Sequence, residues 1–157
     1  MTTLTNVTID ELEIGQKATY TKICTADDIT LFATVSGDVN PVHLDDAFAA
    51  ETPFGKRIAH GMYTGALVSA ALAIELPGPG TIYMGQELKF KAPVFIGDEI
   101  TVELEVETIR ADKAIVGLLC RCTNQDDVVV AVGKATVMAP KKKVSIEAPT
   151  LPAVSIA

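Results

Sequence analysis

The 157 residues fit one domain, and with 48% apolar and 21% charged residues the chain has side chains for a sizeable core and is not wholly disordered. Twenty acidic residues against thirteen basic ones leave a formal net charge of −7, which repels phosphate backbones and anionic lipid, so nucleic acid is not an expected partner. No stretch reaches the roughly 20 apolar residues of a membrane span, and no basic start leads into an apolar run, so a cytoplasmic protein with no membrane partner is expected.

In chain order, Lys17 to Cys24 reads as a strand. Thr25 can cap a helix from about Ala26 to Ser36, with Asp27 and Asp28 at the positive end of its dipole and Gly37 at its exit. Ile29, Phe32, Ala33 and Ser36 share one face of it, which predicts packing on the core and delivery of Asp38 at its end. The stretch SGDVNPVH follows. Gly37, Asp38, Asn40 and Pro41 suit a tight turn, but a turn does not explain His43. Asp45 to Ala50 reads as a further short turn. The segment Met62 to Leu76 is apolar on nearly every face, which predicts a helix buried all round, stopped by Pro77, Gly78, Pro79 and Gly80.

From there to Met138 the pattern is strand. In EITVELEVET, Ile100, Val102, Leu104 and Val106 alternate with Thr101, Glu103, Glu105 and Glu107, so one face is dry and the glutamate face solvated. Turns at Ala111 to Lys113 and Asn124 to Asp127 divide the rest into an antiparallel meander. These elements predict an α+β architecture, a curled antiparallel sheet of about five strands wrapped around a central apolar helix. Cys24, Cys120 and Cys122 are odd in number and read as reduced packing residues; Cys120 and Cys122 as metal ligands is the weaker reading, since no second pair accompanies them. The end of the chain, with Lys141, Lys142 and Lys143 and three prolines, reads as a tail, giving a domain over 1–139 and a tail or linker over 140–157.

The run FATVSGDVNPVHLDDAFAAETPFGKRIAHGMYTGALVSAAL, Phe32 to Leu72, closely resembles the MaoC-like (R)-specific enoyl-CoA hydratases, whose fold is the hot dog. The resemblance includes the spacing of aspartate, asparagine and histidine, the HG dipeptide His60 and Gly61 at the start of the long helix, and the later YMGQELKFKAPVFIGDEI, and it covers roughly residues 10–139. It implies that water adds across a trans-2-enoyl-CoA to give the (R)-3-hydroxyacyl-CoA. Asp38 and His43 would hold and activate the water, Asn40 would orient the pair, the Gly61 amide would bind the thioester oxygen, and Ser69 would support catalysis. It implies no cofactor and no metal, an acyl-CoA substrate of short to medium chain, with Tyr63, Leu67 and Tyr83 as candidate limits on the pocket, and a homodimer. The lysines followed by EAPTLPAV also resemble the linker to a phosphate acetyl- or butyryltransferase domain in longer proteins, so an N-terminal domain of such a fusion is a further expectation.

The chemistry requires a base for the water, an acid for the alpha carbon and a donor for the enolate oxygen. Asp38 is the carboxylate base candidate, and His43, an imidazole able to take up and give back a proton, suits the return of a proton. Asn40 cannot titrate, and standing before Pro41 it is biased to an extended backbone. Gly61 opens a helix, where amides are unpaired and negative charge is favoured. His60 reads as structural, and His43 with Asp45 and Asp46 as a metal site ranks low, because three ligands within four positions rarely share a geometry. Ser69, two turns beyond Gly61, reads nearly as well as a small packing residue. The alternatives are a hot-dog thioesterase, which the uncharged stretch Met62 to Ile74 disfavours, and a non-catalytic acyl-binding domain.

Overall fold

The computed structural model describes residues 1–157. The elements run β1 (Thr3–Thr5), β2 (Lys17–Ile23), α1 (Ala26–Ser36), α2 (Pro41–Leu44), α3 (Asp46–Ala50), α4 (Gly61–Ile74), β3 (Ile82–Phe90), β4 (Glu99–Arg110), β5 (Ile115–Thr123), β6 (Val129–Met138) and β7 (Ser145–Glu147). Strands β2 to β6 form one antiparallel sheet in the order β2-β4-β5-β6-β3, whose centre is the expected meander. The alternation in β4 sets its orientation: Ile100, Val102, Leu104 and Val106 are buried, while Glu103, Glu105 and Glu107 face outward, beside Lys17 and Lys134. Those pairs are solvated and contribute little to stability.

Helix α1 begins as its sequence dictates. Thr25 Oγ1 accepts from the Asp28 amide at 3.1 Å and Asp28 Oδ2 accepts from the Thr25 amide at 3.0 Å, a reciprocal cap. It ends at Gly37, whose φ of 80° is open to glycine at no steric cost. Lys22 lies 3.3 Å from Asp28, and the Tyr63 hydroxyl donates to Asp28 Oδ2 at 3.3 Å, so one carboxylate ties β2, α1 and α4 together. Burial opposes ionisation of Asp28, but the Thr25 hydrogen bonds and Lys22 outweigh it and hold its pKa below the ordinary value.

Two expectations need correction. Helix α4 is not buried all round. Tyr63, Thr64, Leu67, Val68, Ala71 and Leu72 face the sheet, but Met62, Ala66 and Ala73 are exposed and Ser69 half-buried, a stripe at four-, three- and four-residue spacing. One sheet covers one side of a helix, and no element of this chain lies over the other. The second correction concerns 140–157. Residues 145–147 form β7, which pairs antiparallel with β1, giving two strands beyond the five expected. Asn6, fully buried, fastens this pair: its Nδ2 donates to Pro79 O at 3.0 Å and Lys142 O at 2.9 Å, and its Oδ1 accepts from the Val144 amide at 3.0 Å. Lys143 Nζ donates to Asn6 O at 2.6 Å and to Glu11 Oε2 at 2.8 Å. Beyond Ala148 there is no regular structure.

The three cysteines are buried and unpaired. Burial pushes the Cys24 thiol up to about 11 and the Cys122 thiol up to about 12, and raises Cys120 as well.

Candidate active site

The stretch SGDVNPVH is an α1 exit followed by a new helix start. Asp38 is exposed at the exit and its Oδ1 accepts from the Asn40 amide at 3.1 Å. Asn40 is the N-cap of α2, with ψ of 124° before Pro41 at the first helical position, and its Oδ1 accepts from the Val42 amide at 3.3 Å. Asn40 therefore connects Asp38 to the helix that carries His43. Its side chain holds the backbone of that helix rather than either titratable group.

His43 is buried, with its Nδ1 2.8 Å from the Ile58 carbonyl oxygen. A carbonyl only accepts, so this contact assigns the proton to Nδ1 and leaves a lone pair on Nε2. That Nε2 lies 3.9 Å from Asp38 Oδ2, too far for a direct hydrogen bond, and so both atoms keep capacity for a third group between them. Whereas Asp38 is half exposed, His43 is 7% exposed, so one member of the pair meets solvent and the other the interior.

His60 contributes more than its structural assignment anticipates. Its ring stacks on His43 with centroids 3.8 Å apart and an interplanar angle of 29°, and Phe32 packs on it at 4.9 Å. Its Nε2 donates to the Asp38 carbonyl oxygen at 3.0 Å, which leaves Nδ1 buried without a partner. His60 thus touches both members of the pair, one by its face and one by its edge. The signal for this was the HG dipeptide, but nothing in the spacing of residues 38 and 60 showed the contact.

Gly61 follows directly as the first residue of α4; no side chain caps that end, and although the Tyr63 amide donates back to His60 O at 3.0 Å, the Gly61 amide keeps a free donor. A Cβ at Gly61 would lie 3.0 Å from the Phe90 ring, so a side chain there would press on β3 and the ring would have to give by a few tenths of an ångström. Gly61 lines a cavity of about 340 Å³ together with His60, Thr64, Phe90, Lys91 and others. Thr64, one turn along α4, enters this lining although the sequence gave it no distinct signal. Ser69 lies further along, half-buried, with no side-chain hydrogen bond in the chain and no place in the cavity wall. Tyr63, Leu67 and Tyr83 do not line it either: the first two pack in the core and Tyr83 is exposed on β3.

Asp45 and Asp46 turn away from His43. Asp45 Oδ1 caps α3 by accepting from the Phe48 amide at 3.0 Å, and Asp46 pairs with Arg57 at 3.1 Å. The acid and imidazole groups that do converge are Asp38, His43 and His60, within 4.8 Å of one another. Stacked rings direct their in-plane lone pairs side by side, and one nitrogen of each ring faces a carbonyl, so this trio suits proton transfer better than ligation. Asp38 and His43 do not line the cavity themselves; His60, which contacts both, lines it together with Gly61, so the carboxylate and the imidazole lone pair stand behind the residue that precedes the free helix-terminal amide. That set can activate water and stabilise a developing oxyanion.

The family described as MaoC like domain matches residues 9–119. An (R)-specific enoyl-CoA hydratase of Aeromonas caviae is 48% identical over 129 residues, covering 82% of this chain and 96% of that protein. A 3-hydroxybutyryl-CoA dehydratase of Methylorubrum extorquens is 46% identical over 134 residues, covering 85% of each. The structure of unliganded R-hydratase PhaJ1 from Pseudomonas aeruginosa superposes with a TM-score of 0.95 at 52% identity, over 99% of this chain and 100% of that one.

Proposed function

The chain belongs to the MaoC-like domain family, and from that premise we propose that it is an (R)-specific enoyl-CoA hydratase, adding water to a trans-2-enoyl-CoA to give the (R)-3-hydroxyacyl-CoA. The observation that carries the mechanism is the gap of 3.9 Å between Asp38 Oδ2 and His43 Nε2, beside the ring of His60, which stacks on His43 and directly precedes Gly61. In this reading a water held by the pair gives a proton to Asp38 as its oxygen bonds to C3. The electrons of the double bond move to the thioester oxygen, which the Gly61 amide receives. The proton passes to His43 Nε2 and from there to C2, which restores the thioester and the enzyme. Asn40 and His60 hold the pair in register. A dehydratase name describes the same step run backwards, so the Methylorubrum relative is consistent with one chemistry.

A cavity of about 340 Å³ stands near the small end of the usual range of about 300–1,000 Å³ for ligand sites, which supports a short-to-medium acyl preference. Incubation with crotonyl-CoA tests the activity: enoyl absorbance should fall without release of free thiol, with the (R) product formed. Release of thiol would indicate a thioesterase, and no change an acyl-binding domain. Faster turnover of a twelve-carbon enoyl-CoA than of crotonyl-CoA would remove the chain-length proposal.

We also propose a homodimer joined along β3. This edge strand exposes Ile82, Tyr83, Met84 and Phe90 beside an unpaired row of backbone groups, whereas the other edge, β2, carries Lys17 and Lys22. Light scattering at micromolar concentration should give at least twice the mass of 16.6 kDa. Three buried, unpaired thiols suit a reducing compartment, and we place the enzyme in the cytoplasm.

A further inference from the structure

We propose that Lys91 and Lys56 form a subsite for the phosphorylated nucleotide end of coenzyme A at the mouth of the cavity beside Gly61; this rests on the hydratase reading and adds the groups that recognise the carrier. The cavity, about 340 Å³, is too small for a whole acyl-CoA, so the acyl thioester enters and the nucleotide stays outside. That nucleotide carries three phosphate groups, and the chain has a net charge of −7, so its approach requires local cations.

Six of the thirteen basic side chains are already neutralised, and of the remaining seven only Lys91 lines the cavity. Lys17, Lys22, Arg57, Arg110, Lys134 and Lys143 each lie within 3.4 Å of a carboxylate. Lys91 has no such partner, is exposed, and lines the cavity itself. Lys56 has none either, and stands two residues after Phe54, which also lines the cavity. Its ammonium lies 4.4 Å over the Phe95 ring, an interaction that fixes the position of the charge without cancelling it. Ile58 bridges to Phe95, and both loops contribute to the cavity wall, Phe54 and Ile58 from one and Lys91 to Val94 from the other. Two uncompensated cations therefore stand on the two loops that frame one opening, a geometry suited to a diphosphate entering behind a pantetheine arm.

The test compares crotonyl-CoA with crotonyl-pantetheine, which has the same reacting end and no phosphate. In the wild type, KM for crotonyl-CoA should be at least about tenfold the lower of the two at low salt, the scale of one or two charge-assisted hydrogen bonds. The double variant Lys56→Ala, Lys91→Ala should bring the two KM values together by raising that for crotonyl-CoA, whereas Lys113→Ala, on a distant hairpin turn, should keep the wild-type ratio. Calorimetric titration of free CoA should weaken about tenfold in the same double variant. That binding is read without turnover, so loss of the hydratase reading and loss of this subsite give different results. An equal rise in both KM values, or no rise for crotonyl-CoA, overturns the proposal. So does a double variant that weakens a crotonyl thioester on a carrier protein while sparing crotonyl-CoA.

Discussion

His43 and His60 lie face to face with ring centroids 3.8 Å apart, and each ring is held at its edge by a carbonyl oxygen, Ile58 for the first and Asp38 for the second. The pair comes from two elements, α2 and the turn into α4, so the stack fixes the distance between the acid–base pair and the amide of Gly61.

Replacing His60 should therefore impair turnover more than folding. His60→Phe keeps a ring on His43 and removes the unpartnered Nδ1, but it frees the Asp38 carbonyl. We expect kcat to fall on the order of a hundredfold, as small misplacements at a reacting centre do. The melting temperature should change little, because one hydrogen bond and one unsatisfied buried atom are lost together. His60→Gln, which retains a donor, should recover part of the rate, and a kcat equal to wild type in His60→Phe would count against positioning.

Asp38→Asn keeps the Oδ1 that accepts from the Asn40 amide, so α2 should form as before. Removing its basicity should lower kcat by about 10² to 10⁴, with KM little altered. His43→Ala should match it. In the proposed mechanism both groups act on one water, so the double variant should be scarcely slower than either single one. Additive losses would show that the two do not act as a unit.

Gly61→Ala places a Cβ 3.0 Å from the Phe90 ring, and the ring must shift by a few tenths of an ångström. Both residues line the cavity, so such a shift changes its wall. Turnover of crotonyl-CoA should drop at least about tenfold through misplacement of the amide, and Phe90→Leu in the same chain should restore part of it. Undiminished turnover in Gly61→Ala would separate the glycine from the oxyanion.

Asn6→Ala removes three hydrogen bonds, two that join the N-terminal segment to the chain after Ala139 and one that joins it to Pro79. Leaving those backbone groups unsatisfied should cost about 2–3 kcal/mol, a drop of roughly 5–10 °C in Tm. Ending the chain after Ala139 should lower Tm likewise, while ending it after Ala148 should not. Equal melting of all three against wild type would restore 140–157 to a tail.

The buried thiols set an alkaline limit. Cys24 and Cys122 have folded pKa values of about 11 and about 12, above the ordinary thiol value of 9.0. Unfolded thiols lose protons first as pH rises, so stability is complete below about pH 9 and falls between there and pH 12. Urea midpoints should decline over that window, and a thiol reagent at pH 8 should react only after denaturation. Rapid labelling of the native protein would contradict the burial.

The sequence by itself determined the local elements and the identities of the polar groups that converge at the candidate site. The Thr25 cap, the Gly37 exit, the alternation in β4 and the two hairpin turns depend on neighbours a few residues away, and each stands where the pattern put it. The same holds for Asp38, Asn40 and His43, which one short segment supplies in a recognisable spacing. Contacts between distant segments were beyond it. Only the tertiary structure decided that His60 stacks on His43, that α4 leaves Met62, Ala66 and Ala73 uncovered, and that β7 returns to β1. An apolar helix reads the same whether one sheet or two cover it, because composition records what can be buried and not what arrives to bury it. A three-residue strand such as Ser145–Glu147 is too short to show alternation, and its pairing is held by Asn6, some 140 positions earlier.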